Sequence, residues 1–207
     1  MNSVRFSENR FLQVLAASYL VVWIVLAIAP SDRGDWLLEN LLVFASAAVL
    51  VLTWRRFPFS NFSYALIAVF MVLHAIGAHY TYAKVPFGFW LRDLFHLERN
   101  HYDRLIHFSF GLLIVYPLRE ILTRSAGARD AWAIGLSVAG IVGLSSFFEI
   151  VEGIIAQVVS PELGAAYLGT QGDIWDAQKD MAAATLGAFL TTAITLGRRP
   201  RAPRRGS

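Results

Sequence analysis

The stretch GTQGDIWDAQKDMAAATLG, residues 169–187, carries Asp173, Asp176 and Asp180 into an otherwise apolar run. At 100° per residue the three acids share one helix face with Ala184 and Gly187, so the acidic row continues as a small, smooth strip suited to close contact with another helix. Asp173 reads as an N-cap and Asp176 as an N3 acid favoured by the helix dipole. Asp180 lies two turns in, where that explanation fades, and an ionised carboxylate near hydrocarbon costs roughly 2.5–3.5 kcal/mol on insertion scales. Asp180 is the stronger functional candidate.

Three other stretches supply matching groups. In GLSSFFEIVEG, Glu149 and Glu152 lie three residues apart on a stripe shared with Ser145 and Ala156, so both face one neighbour and point inward. Such a pair shares a proton, or holds a metal or a basic side chain such as Arg104 or Lys179 between its carboxylates. In NHYDRLIHFSFG, Asp103 and His107 are one turn apart, a spacing at which the carboxylate holds one imidazole nitrogen and leaves the other for a metal or a proton. His101 stands just outside that helix. In HAIGAHYTY, His79 is the candidate ligand, while His74, 140° around the helix, reads as a helix–helix hydrogen bond. Glu39 and Asn40 are expected to reach water at the interface.

Convergence of these groups at one height predicts a site in the outer half of a bilayer. The catalytic candidates are Asp103, His107, Glu149, Glu152 and Asp180; the metal-ligand candidates are His79, His107, Glu149, Glu152, Asp176 and Asp180. Histidine with carboxylates and no cysteine suits Zn, Mn, Fe or Mg, and such a centre could activate water against a phosphate, amide or ester. The sequence has no H-E-x-x-H, G-x-S-x-G or glycine-rich phosphate loop. Three readings stay open: a metal-dependent enzyme on a lipid-linked or envelope substrate, a proton- or cation-coupled transporter, and a non-catalytic binding or assembly protein with a polar interhelical lock.

The elements that must position these groups are helices in lipid. The chain has 207 residues, 56% hydrophobic and 16% charged, with a mean hydropathy of +0.51. Six runs are long and apolar enough to span: about 11–29, 36–54, 62–82, 104–122, 132–158 and 178–197. None alternates with the period of a barrel strand, so the expected fold is an all-α polytopic bundle of about six transmembrane helices in a single domain. Ala27-Ile28-Ala29 imitates a signal-peptide cleavage site, but the apolar run is long and Pro30 follows, so the first segment is read as a helix that stays. Without cysteine, neither disulfides nor a thiolate metal site can form.

Charge sets the expected orientation. A cytoplasmic N-terminus places twelve of the eighteen basic residues inside, including Arg5, Arg10 and the RRPRAPRRGS tail, so both termini are expected in the cytoplasm of a bacterial inner membrane. The tail, 198–207, is expected to be a disordered cytoplasmic anchor, and the basic balance is a topology signal with no nucleic-acid partner implied. The lipid bilayer is the expected partner. Residues 87–96 predict a helix lying on the membrane, with Phe87, Trp90, Leu91 and Leu94 opposite Arg92, Asp93 and His96. Residues 159–177, with Pro161, Gly164, Gly169 and Gly172, predict a loop with turns that re-enters helix near Asp173. No internal repeat aligns the two halves.

RNHYDRLIHFSFGLLIVYPLRE, FFEIVE and YLGTQGDIWDAQKDMAAATLGA resemble the signatures of the YjdF-like bacterial inner-membrane proteins over about residues 74–190. That resemblance implies a multi-pass inner-membrane protein of a family whose function is not assigned. A looser likeness is to VanZ-like membrane proteins, associated with glycopeptide resistance, through Asp103-Arg104-Leu105-Ile106-His107-Phe108 and the run from Asp180 to Gly187. Ala184 stands where that pattern has Asn. Neither resemblance implies a reaction.

Overall fold

The structure is a computed structural model describing residues 6–197; Arg5 and the basic tail from 198 lie outside the described residues. Among those residues the only regular elements are helices: a short 3-10 turn at Phe6–Glu8, then α1 (Arg10–Leu26), α2 (Arg33–Thr53), α3 (Asn61–Tyr80), α4 (Pro86–Phe95), α5 (Tyr102–Ser125), α6 (Asp130–Val158), α7 (Pro161–Leu168) and α8 (Asp176–Gly197). Helices α2, α3, α5 and α6 are long and apolar enough to cross a membrane, and α1 is a shorter apolar helix. Leu, Val and Ile side chains point outward along all of them, as they do when the solvent is lipid.

Local chemistry sets the helix starts. Asn9, Asp32, Ser60 and Ser160 each accept a backbone N–H from the first turn of the helix that follows. Helix α4 forms close to where the amphipathic pattern puts it, with Phe87, Trp90 and Leu94 exposed. The connection after α6 is more ordered than a loop with turns. Ser160 caps it, Pro161 occupies the first helical position and Gly169 closes it at φ 57°, so α7 forms inside it. Helix α8 begins later than expected. The Asp173 carboxylate accepts the Trp175 N–H at 3.1 Å in a turn, and regular helix starts at Asp176, which therefore is not at N3.

The closest packing is between α5 and α8. A Cβ on Gly111 would strike the Ala184 carbonyl and stand 2.9 Å from the Ala188 nitrogen; one on Gly187 would strike the Phe108 carbonyl and stand 2.7 Å from the Leu112 nitrogen. Ala184 and Ala188 are fully buried in the same seam, and Thr191 donates to the Leu112 carbonyl at 2.6 Å. Backbone meets backbone because no side chain intervenes. Gly111→Ala or Gly187→Ala should therefore lower stability by about 1–3 kcal/mol through overpacking. Gly143→Ala, where nothing lies within 4 Å, should leave stability unchanged or slightly raised. Thermal unfolding of detergent-purified variants measures both; equal effects at all three positions would contradict the seam.

Candidate functional site

The small-residue seam has an acidic end, where α3 and α6 finish and α2, α5 and α8 begin. There Asp103 and His107 of α5 face Asp180 of α8, and one ligand atom from each lies within 4.8 Å of the others. Glu149 of α6 borders the group, its Oε1 being 3.3 Å from His107 Nε2. Asp103 Oδ1 is 3.7 Å from the same nitrogen. Both acids thus stand beside the same imidazole nitrogen, Asp103 beyond ordinary hydrogen-bonding distance. Glu152 sits within hydrogen-bonding reach of Glu149. Glu149 Oε1 and Asp180 Oδ1 are buried without a hydrogen-bond donor, and buried polar atoms in folded proteins are nearly always satisfied. A proton, water or cation belongs at this point.

Arginines take the other acids. Arg104 Nη2 donates to Asp173 at 2.6 Å and to Asp176 at 2.8 Å, and Arg99 Nη1 donates to Asp176 at 2.5 Å. Lys179 Nζ donates to Asp173 at 2.7 Å. Neither Arg104 nor Lys179 therefore lies between Glu149 and Glu152 as a neutralising base. Asp176, expected as a metal ligand, is instead the acceptor of two guanidinium groups, and its charge is already spent. Arg104 Nε is only 3.7 Å from Asp180 Oδ1, so this cation also borders the candidate centre. His101 sits at the rim, and burial, then the charges of Arg104 and Arg99, push its pKa down.

The remaining histidines are elsewhere. His79, expected as a ligand, donates from Nδ1 to the Leu26 carbonyl at 2.8 Å and packs edge-on against Tyr80, pinning α3 to the end of α1. It lies outside the Asp103–His107–Asp180 group because the end of α3 is turned toward α1. His74 is the interhelical contact its position suggested, and its tautomer follows from its partners. A carbonyl can only accept, so Nε2–H donates to the Glu39 carbonyl (3.1 Å) and the bare Nδ1 accepts the Tyr82 hydroxyl (2.5 Å). The ring of Tyr82 reaches there across Gly77, where a Cβ would be 2.6 Å from its Cζ. Glu39 and Asn40 do not reach water: they are 3% and 1% exposed.

Sequence reading passed over Arg99, Asn100 and Gln171. Asn100 and Gln171 clasp each other's chain, Asn100 N–H to Gln171 Oε1 at 3.1 Å and Gln171 Nε2 to the Asn100 carbonyl at 2.8 Å. Asn100 also accepts the Tyr102 N–H and donates to the Val85 carbonyl. Arg99 donates to the carbonyls of Gly169 and Thr170. The stretches RNHYDR and GTQGD, far apart in the chain, are thus one interlocked unit. Their distinctiveness as motifs was the available signal; their mutual contact was not readable.

Four long apolar helices around a buried polar end define a multi-pass helical membrane protein. The chain belongs to the family described as "Predicted membrane protein (DUF2238)", which matches residues 11–201. It is 38% identical over 189 residues to inner membrane protein YjdF of Escherichia coli (strain K12), covering 90% of this chain and 89% of that protein. That relative's membrane agrees with the localisation expected from the sequence, and its family with the first resemblance. The looser VanZ-like resemblance gains no support from these matches. No solved structure matches the chain.

The Lys179 and Arg104 hydrogen bonds hold the Asp173 carboxyl well below its ordinary value of 3.8. A lowered folded-state pKa means that the stabilisation is present above the unfolded value and is lost as pH falls toward the folded one. Wild type and Asp173→Asn should accordingly differ in melting temperature by a constant amount from pH 8 to about 5, and by less only below about 4. A difference that instead grows with acidity would contradict this pairing.

Proposed function

We propose that this inner-membrane protein is a metalloprotein whose Asp103–His107–Asp180 centre holds a divalent cation, with Glu149 alongside, and acts hydrolytically on a lipid-linked or envelope substrate. The observation that carries the reading is the Asp103–His107–Asp180 group, compact enough for one ion, in which Asp180 Oδ1 is buried and accepts no hydrogen bond; the same holds for Glu149 Oε1 beside His107. One nitrogen with carboxylate oxygens suits Zn or Mn. The ion would polarise a water; Glu149 and Glu152, sharing a proton between them, would accept the proton that the water gives up on attack. Inner-membrane placement rests on the Escherichia coli relative and on the apolar helices.

The surroundings favour a membrane substrate over a soluble one. Ile174 and Trp175, between the arginine-held aspartates, are 86% and 58% exposed, and the apolar face of α4 lies open nearby in the chain that leads to Arg99. Exposed aromatic and aliphatic groups beside a polar site match the headgroup layer. A cation- or proton-coupled carrier is favoured instead by the electrostatic continuity of Glu39, Glu152 and Asp103 across the bundle. At the opposite end, however, Glu120 is fully engaged by Ser60, Ser63 and Arg124, so the acidic run does not continue there.

Protein purified in detergent and equilibrated with Zn²⁺ should retain the ion after gel filtration, by elemental analysis. His107→Ala and Asp180→Ala should each lower affinity at least about tenfold. Zinc-free wild type, or retention undiminished in both variants, would remove the metal reading. Uptake of a cation into proteoliposomes that is abolished by Glu152→Gln would move the assignment to the carrier.

A further inference from the structure

Asp35 and Glu39 lie one turn apart on α2, both facing the protein interior, 1% and 3% exposed. Both oxygens of Asp35 and Oε2 of Glu39 are buried and receive no hydrogen bond. Two buried carboxylates in such a place remain ionised only beside a counter-ion, because an unpaired charge is strongly disfavoured away from water.

Most of the neighbouring donors are already committed. Asn40 Nδ2 donates to the Trp36 carbonyl and Asn40 Oδ1 is taken by Trp23 Nε1. His74 Nε2, 4.0 Å from Glu39 Oε2, gives its hydrogen to the Glu39 backbone carbonyl. The Tyr82 hydroxyl goes to His74, and the Tyr102 hydroxyl to the Leu73 carbonyl. The Asp35 N–H is spent on Asp32. Lys84 is exposed, and among the described residues no Lys or Arg pairs with either acid. These three oxygens are left to a proton, water or a cation, and a hard cation with its water shell satisfies all three at once.

The place is also enclosed. Helix α7 lies over the first turn of α2: a Cβ on Gly34 would be 3.3 Å from Leu163, and one on Gly164 would be 2.5 Å from the Ala156 carbonyl of α6. One turn beyond Leu163, buried Tyr167 is in electrostatic reach of Asp35, Glu39 and Glu152. Helix α7 therefore packs against both α2 and α6 beside the two acids.

We infer that Asp35 and Glu39, neither of them shared with the Asp103–His107–Asp180 centre, form a second cation site that binds a hard, oxygen-seeking ion of the Ca²⁺ or Mg²⁺ type beside α7. Its donors are oxygens, with the one nearby imidazole fully occupied, and hard divalent ions take such sets of carboxylate, carbonyl and water oxygens. Binding there ties α2 to the α6–α7 corner, so the ion stabilises the fold as well as neutralising the acids.

The test uses Ca²⁺ and its luminescent mimic Tb³⁺, with the full chain in detergent. Ca²⁺ should raise the melting temperature of wild type and of His107→Ala, and Asp35→Asn combined with Glu39→Gln should abolish the rise while leaving Zn²⁺ retention intact. Excited at tryptophan wavelengths, wild type should sensitise Tb³⁺ through Trp36, next to Asp35 in the chain. Trp36→Phe, which leaves both acids in place, should cut that emission several-fold, and Ca²⁺ should compete it away. This measurement stands if the double variant fails to fold. Absence of any Ca²⁺ effect on wild type, or loss of the effect in His107→Ala with retention in the double variant, overturns the second site. Loss of Zn²⁺ binding alone would sink the metal reading of the first centre and leave this one standing.

Discussion

The contact on which the rest depends is the near-touching of the α5 and α8 backbones. Gly111 and Gly187 leave no Cβ between the two helices, and Ala184 and Ala188 keep the seam thin over several turns. In lipid there is little hydrophobic gain from pairing two apolar helices, so dense packing of small residues has to supply the attraction. The same face that is small in the middle of α8 is acidic at its beginning. Closing the seam therefore drives Asp176 and Asp180 against Asp103 and His107, and the polar cluster follows from the packing.

Once the acids are forced together, two different solutions meet the cost of burying them. Asp173 and Asp176 are neutralised by Arg99, Arg104 and Lys179, whose N–H groups approach within ordinary charge-assisted distances. Asp35, Glu39, Glu149 and Asp180 keep oxygens that accept no hydrogen bond, although Arg104 Nε stands 3.7 Å from Asp180 and His107 Nε2 3.3 Å from Glu149. The first set is structural: it locks the α7–α8 connection to the start of α5 and is reinforced by the Asn100–Gln171 clasp. The second set is chemically unfinished, and both the candidate centre and the α2 site are drawn from it. His74 belongs with the structural groups, since both of its nitrogens are occupied and its neutral tautomer is dictated by Glu39 and Tyr82.

Much of the architecture was legible in the chain. Hydropathy marked the helical segments, and α4 kept the amphipathic pattern of residues 87–96 because a ten-residue helix with separated faces needs no tertiary contact to be recognised. The small strip after Asp180 correctly pointed to a close helix neighbour. The convergence of Asp103, His107, Glu149 and Asp180 was also visible in outline, since each carried a polar group to the same end of its helix. Helix α7 was missed because eight residues with two glycines read as a loop; only the Ser160 cap and Pro161 betray it. His79 was misplaced because wheel geometry gives a direction around one helix axis without saying which neighbour lies in that direction.

Composition and spacing alone determined that this is an all-helical membrane chain, since every buried backbone group in lipid must be satisfied within its own helix, and that acidic and imidazole groups gather at one end. Tertiary structure alone decided which acids are already neutralised and which are left bare. That decision turns on where Arg99, Arg104 and Lys179 reach, and on the burial of Asp35 and Glu39, of which Glu39 was expected from local sequence to face water. Pairing of charges depends on distances between helices, and those distances are set by the packing of residues remote from one another in the chain.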